Sequence, residues 1–249
     1  MVSQDTGGAV FLIHGAVSNT LRYMHLSQER IIHMVEQYKI LWEGGTGELV
    51  EKKSRFVART EPVESEEAAL AFIEKMRKEY WDARHHCSAY VIGDRNQCTR
   101  CNDDGEPSQT AGRPMLDVLL GEEIHNICVV VIRYFGGTLL GTGGLVRAYS
   151  GAVQEGLKNS KIVEKCLGKR MKIRTDYTGI GKIQYILGQN QIAVIDSQYT
   201  ELVEITAMVP FREIERLSAE VIEGTNGKAK IELGDNEYYG LIDGKVTCL

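Results

Sequence analysis

The chain has 249 residues, 43% of them hydrophobic and 25% charged, with a net charge of −5. That length holds one large or two small domains, at roughly 100–150 residues each. The mild acidity gives no global attraction to nucleic acid or to an anionic membrane, so any such contact needs a local basic patch.

Residues 1–33 carry no convincing periodicity and few acids. "AVFLIHGAV" within them is the nearest thing to a signal-peptide core, but it lacks a basic segment before it. Globular patterning starts at Met34. The segment 1–33 is therefore expected to be a leader outside the working protein, with translation starting at Met34. In a bacterial message Gln28-Glu29-Arg30 can be encoded CAG-GAG-AGG, which contains a ribosome-binding AGGAG, with Ile31, Ile32 and His33 as the spacer. A leader without buried partners is expected to pack poorly, although "AVFLIHGAV" is apolar enough to dock as an added strand.

Residues 47–60, "GELVEKKSRFVART", read as one strand. Residues 64–80 place Ala69, Phe72, Ile73 and Met76 at helical spacing. "CSAYVIG" reads as a strand and leads into the acidic loop "DDGEPSQTAGRP". Residues 114–120 form a short helix, with Pro114 in its first turn and Gly121 as a left-handed C-cap. "HNICVVVIRYF" is almost continuously apolar and β-branched, as a central strand covered on both faces would be. A glycine-rich loop follows, and then a helix to about Asn159 whose Leu145, Tyr149, Val153 and Leu157 form a buried stripe.

Beyond Leu167 the pattern changes. "KRMKIRTDY" is a strand and "TGIGKIQYILGQN" a helix; "QIAVIDSQYT" and "ELVEITAMV" are strands. "PFREIERLSAEVIEGTNG" is a helix opened by Pro210, and "KAKIELGDNEYYG" is a last strand. That order, β-α-β-β-α-β, is the ferredoxin-like arrangement, with a domain boundary expected near residues 166–169.

The acidic and glycine loops carry the chemistry. Helix starts at residues 112–114 and 142–144 present unpaired N–H groups that suit an anion. Ser108, Thr110 and Arg113 add donors around the first. In the run Ile127, Val129, Val131, Arg133, alternation puts a guanidinium on an aliphatic face. A charge there needs a partner, and Asp103, Asp104 and Glu106 are the nearest supply. The plainer reading is that Asp104-Gly105 and Pro107 are turn residues and that Gly136, Gly137, Gly141, Gly143 and Gly144 only serve a tight connection. The glycines match neither the dinucleotide fingerprint nor a Walker loop.

"DDGEPSQTAGRPMLDVL" with "VVVIRYFGGTLLGTGGLVRAY" closely resembles the YigZ/IMPACT family, and the resemblance runs from about Met34 to Leu249. It implies an α+β protein of two domains. Residues 34–166 would be the IMPACT N-terminal domain, similar to a ribosomal-protein domain and the GHMP kinases. Residues 167–249 would be a ferredoxin-like domain resembling one of elongation factor G. Eukaryotic members act in translational control, by competing for the activator of the amino-acid-starvation kinase. The family's shared positions fall here on His86, Ala89, Tyr90, Asp103, Asp104, Gly105, Glu106, Pro107, Thr110, Ala111, Gly112 and Pro114, then on Arg133, Tyr134, Phe135, Gly136, Gly137, Leu140, Gly141, Gly144, Leu145 and Tyr149. One departure is Gln109, where many members have glycine.

The six scattered cysteines form no secreted disulfide framework and suggest a reduced, cytosolic protein; with the resemblance, the expectation is a non-catalytic, translation-linked protein that contacts RNA, the ribosome or a protein partner. The contact would use a cleft containing His86, Asp103, Asp104, Glu106, Ser108, Thr110, Gly112 and Arg113, with Arg133, Tyr134, Phe135, Gly136, Gly137, Gly141, Thr142, Gly143 and Gly144. The alternative is a small-molecule or phosphoester enzyme using the acidic cleft with Mg²⁺, in which His86 with Asp103 or Glu106 would do acid–base work. Lys52, Lys53, Arg55 and Arg59, interleaved with Phe56, suit RNA contact but equally a solvated strand. Cys98 and Cys101, with His85 and His86, have zinc-type chemistry but lack a second ligand pair at finger spacing; two surface thiols at a loop entrance is the plainer reading. No cofactor, metal or membrane contact is expected; no stretch approaches the roughly 18 apolar residues of a membrane span.

Overall fold

A computed structural model describes residues 34–249. Residues 1–33, with the expected leader and its apolar stretch, lie outside the described residues. The strands are β1 (Gln37–Glu43), β2 (Thr46–Glu51), β3 (Ser54–Pro62), β4 (His85–Ile92), β5 (Cys98–Asn102) and β6 (Ile124–His125), then β7 (Ile127–Tyr134), β8 (Lys161–Thr175), β9 (Ala193–Tyr199), β10 (Val203–Pro210), β11 (Lys230–Ile242) and β12 (Lys245–Cys248). The α-helices are α1 (Glu66–Glu79), α2 (Gly112–Gly121), α3 (Thr142–Lys158), α4 (Ile180–Gln189) and α5 (Ile214–Gly224). The chain is thus a mixed α+β protein. Among the described residues no helix is long and apolar enough to cross a membrane.

A five-stranded sheet runs in the order β2-β3-β7-β4-β5, and every pairing in it is antiparallel. β7 is central, and its sequence shows why. Ile127, Val129 and Val131 pack under α2 and α3 with Met115, Leu119, Tyr149 and Val153. Cys128, Val130 and Ile132 pack under α1 with Phe72 and Met76. The period of two therefore sends one apolar set to each helical layer. α1 starts where Ser65 accepts a hydrogen bond from Ala68 N, with Glu66 and Glu67 in its first turn.

The second sheet is seven-stranded and centred on β8. β8 pairs with β1 through Gln37↔Cys166, with β10 through Val203↔Thr175 and with β11 through Ile231↔Ile173. Its last part joins β9, β10 and β11 in the order β11-β8-β10-β9, with α4 and α5 packed on Met171, Ile173, Ile205 and Ala207. Residues 166–169, where a boundary was expected, lie inside this unbroken strand.

Several expected elements differ. Residues 47–60 are not one strand but a hairpin, β2 and β3, turning at Lys52 (φ 45°) and Lys53 (φ 68°). Two left-handed residues suit a two-residue hairpin because their twist matches that of the strands. Gly121 is helical and caps nothing; the left-handed residue after α2 is Glu123 (φ 56°). Residues 211–213 form a 3₁₀ turn ahead of α5. Cys98 opens the short edge strand β5, and Cys101 lies one residue before its end, where the acidic loop begins.

Candidate functional site

The acidic loop connects β5 to α2, and each of its three carboxylates has a separate internal job. Asp103 Oδ1 accepts the N–H groups of Ala111 (3.0 Å) and Gly112 (2.8 Å), and its Oδ2 accepts that of Gln109 (2.8 Å). It therefore fills the positive start of α2 from within. An external anion had been expected at that start; the chain supplies its own. Gly112 is required for this fit, because a Cβ there would lie 2.7 Å from Asn102 N.

Asp104 joins the loop to the layer below. Its Oδ1 accepts from Arg77 Nη2 at 2.7 Å and its Oδ2 from the His86 backbone N–H at 2.6 Å. His86 is buried, and its Nε2 donates to the Tyr80 carbonyl at 3.0 Å. His86 pairs with Ile132, so it shares the face covered by α1, away from Glu106. His85 Nδ1 lies 2.9 Å from the Asp104 carbonyl.

Glu106 holds Arg133. Its Oε1 accepts from Arg133 Nη1 at 2.6 Å and from the Tyr149 hydroxyl at 2.8 Å. The side chains of Arg133 and Glu106 are only 7% and 3% exposed. The guanidinium also lies between the rings of Phe56 (5.4 Å) and Phe135 (5.6 Å). Burial pushes the Tyr149 phenol far above its ordinary range, so it stays a neutral donor. The lone cation on an apolar strand face has thus found its acid, and the link ties loop, β7 and α3 together.

The remaining expected residues divide. Tyr134 points to the other face, where its hydroxyl donates to Asp82 at 2.9 Å. Arg113 is paired with Asp117 (2.8 Å), and the Thr110 hydroxyl donates to the Pro107 carbonyl (2.7 Å). Ser108 is exposed. Gln109 has φ 62°, a left-handed backbone conformation that glycine adopts without strain. Cys98 and Cys101, three apart on a strand, face opposite sides and do not converge on one ion.

The glycine loop meets the basic hairpin. Gly136 N–H donates to Ser54 Oγ at 3.1 Å, and a Cβ on Gly136 would sit 2.0 Å from the Lys53 carbonyl carbon. The Lys52-Lys53 turn therefore lies directly against the loop. β2 packs on α3, with Gly47 against residues 155–156 and Leu49 against Gly151, so the turn approaches the start of α3. There Gly141 (φ 73°), Thr142 and Gly143 are exposed, and the helix has no side-chain cap. Arg147, one turn further on, reaches back to Gly143. Lys52, Lys53 and Arg147 are exposed and have no ion-pair partner among the described residues. Arg55 and Arg59, by contrast, are bound to Glu48 and Glu79. Phe56 is fully buried beneath Tyr149 and cannot stack on a base; the exposed ring is Phe135, at 50%.

Comparison with known proteins places this arrangement. The Impact N-terminal domain matches residues 52–157, and a domain of unknown function, DUF1949, matches residues 173–228. IMPACT family member YvyE of Bacillus subtilis is 43% identical over 205 residues, covering 82% of this chain and 94% of that protein. The chain belongs to the IMPACT family. IMPACT family member YigZ of Escherichia coli is 39% identical over 182 residues, covering 72% of this chain and 89% of its own. Human Protein IMPACT is 30% identical over 138 residues, but that match spans only 42% of the human chain. A crystal structure described as that of a hypothetical protein shares 37% identity, with 80% of this chain and 97% of that one covered and a TM-score of 0.52.

Three contributors in this IMPACT family member escaped the sequence reading. Arg77 stands unnamed among the charged residues between the apolar positions of α1, and Tyr149 reads as part of a buried stripe and as a shared family position, not as a hydrogen-bond partner of Glu106. Arg147, four residues after Gly143, was legible as a cation beside a helix start.

Proposed function

We propose that this IMPACT family member is a non-catalytic, translation-linked binding protein of the cytosol that contacts RNA, on the ribosome or free. The contact surface is the glycine loop with its neighbouring cations. The observation that carries the reading is the grouping of Lys52, Lys53 and Arg147, all without ion-pair partners among the described residues, around a helix start with no side-chain cap and an exposed phenylalanine. Cations without internal partners serve phosphates, and an exposed ring serves a base. The order β11-β8-β10-β9 supports a ferredoxin-like unit at residues 167–249, beside a ribosomal-protein/GHMP-kinase-type unit at 34–166.

The commitment of Asp103, Asp104 and Glu106 to internal hydrogen bonds weighs against the Mg²⁺-enzyme alternative. A second reading, a protein partner in place of RNA, is favoured by the apolar Phe135 and by Leu139, which is 83% exposed. Fluorescence anisotropy with single-stranded ribosomal RNA fragments tests the proposal. The Lys52→Ala/Lys53→Ala/Arg147→Ala variant is expected to bind roughly tenfold or more weakly across all sequences. Undetectable RNA binding by the wild type, or equal binding by the variant, would remove the RNA reading in favour of the protein partner. Mg²⁺-dependent phosphoester turnover that disappears in Asp104→Asn would replace both with the enzyme.

A further inference from the structure

A cavity of about 510 Å³ lies on the other face of the five-stranded sheet, between α1 and strands β4 and β5. Its origin is topological. β5 is an edge strand, and in its register Ser88 faces Asn102 and Tyr90 faces Arg100. These four side chains share the face on which α1 packs. Leu70, Ile73 and Arg77 of α1 form the opposite wall.

The lining is dominated by donors. Ser88 is 5% exposed, it lines the cavity, and its hydroxyl has no hydrogen-bond partner among the described residues. The hydroxyl is not one of the side-chain atoms sealed from solvent, so it opens into the cavity and can donate there. Asn102 uses its carbonyl oxygen to accept the Asp104 N–H at 2.8 Å, which leaves its NH₂ group to donate. Arg100 donates from Nη1 to the Thr99 carbonyl at 3.0 Å, and its nearest carboxylate, Glu66, lies at 3.9 Å from Nε. Arg77 is fixed as a wall by Asp104, and the one carboxylate of the lining, Glu74, lies 3.5 Å from Arg77 and is offset by it. Leu70, 52% exposed, and Ile73 offer apolar surface beside these donors.

We infer that this cavity is a binding site for a small organic anion, a carboxylate or phosphate monoester on an apolar body. The anionic head meets the Ser88 hydroxyl, the Asn102 amide and the Arg100 guanidinium, and the body lies on Leu70 and Ile73. The volume falls in the range of roughly 300–1,000 Å³ usual for small-molecule sites. The site is separate from the glycine-loop surface and does not depend on the reading given to it.

Calorimetric titration of the full chain with phenylacetate, phenyl phosphate and uncharged benzyl alcohol tests the inference. At least one of the two anions is expected to bind saturably below about 10 mM and at least tenfold more tightly than the alcohol. The preferred anion assigns the head group. Arg100→Ala, an exposed substitution, is expected to weaken that anion about tenfold, and Ser88→Ala by roughly threefold. No saturable binding of either anion, equal binding of the alcohol, or affinity unchanged in both variants would overturn it.

Discussion

Replacing Arg133 with methionine strands Glu106. The carboxylate, whose side chain is 3% exposed, would keep only the Tyr149 hydroxyl as a partner. Removing one member of a buried ion pair typically costs about 3–5 kcal/mol, because the other charge stays desolvated. Methionine keeps the aliphatic contact with Phe56 and Phe135 but forfeits the cation–ring attraction, worth about 0.5–2 kcal/mol where desolvated. The loss is a large fraction of a typical total of roughly 5–15 kcal/mol, and it would lower Tm by about 10 °C or more. Urea unfolding followed by far-UV circular dichroism measures it. Adding Glu106→Gln should restore most of the stability, since two neutral partners leave no buried charge. If Arg133→Met unfolds within about 1 kcal/mol of wild type, or Glu106→Gln deepens the loss instead of relieving it, the assigned role of the pair is wrong.

Gln109→Gly should stabilise the protein by about 0.5–1 kcal/mol, because a left-handed φ strains a side-chain-bearing residue more than the added freedom of glycine costs the unfolded chain; a lower urea midpoint would contradict this. Gly136→Ala should cost about 2–3 kcal/mol or prevent folding, since its Cβ would lie 2.0 Å from the Lys53 backbone, and an unchanged Tm would show that the hairpin and loop are not in contact. Burial, and then Tyr238, push the Tyr38 phenol up to about 12. The folded protein therefore holds a proton that the unfolded chain releases near pH 10. That stabilisation is complete below pH of about 10 and is lost as pH rises towards 12; the urea midpoint should fall more steeply across this window in wild type than in Tyr38→Phe.

What was legible in the sequence is what depends on local period. The alternation in β7 assigned both faces of the central strand, and the same alternation exposed Arg133 as a charge in need of an acid. The stripe Leu145, Tyr149, Val153, Leu157 is buried as its spacing implies. The hairpin at Lys52-Lys53 was missed because neither lysine announces a left-handed turn as Asn-Gly would. β1 and β12 were missed because their pairing is distant or follows a turn: β1 reaches β8 through Gln37↔Cys166, and β12 folds back on β11 after Asp243-Gly244. The anion seat at α2 was half right in chemistry and wrong in occupant. N–H groups there do bind a carboxylate, and nothing local to residues 112–114 says that it comes from Asp103. The basic cluster was misjudged in membership, since the ion pairs of Arg55 and Arg59 depend on where β2 and α1 place Glu48 and Glu79.

The central claim, that Lys52, Lys53 and Arg147 meet RNA phosphates, is tested most directly by the salt dependence of binding. Log Kobs for a single-stranded RNA should fall linearly with log salt, by about 0.7 for each phosphate neutralised. Removing the three cations together should make the slope shallower by roughly 2. A wild type whose binding is independent of salt, or a variant that keeps the full wild-type slope, would contradict the account.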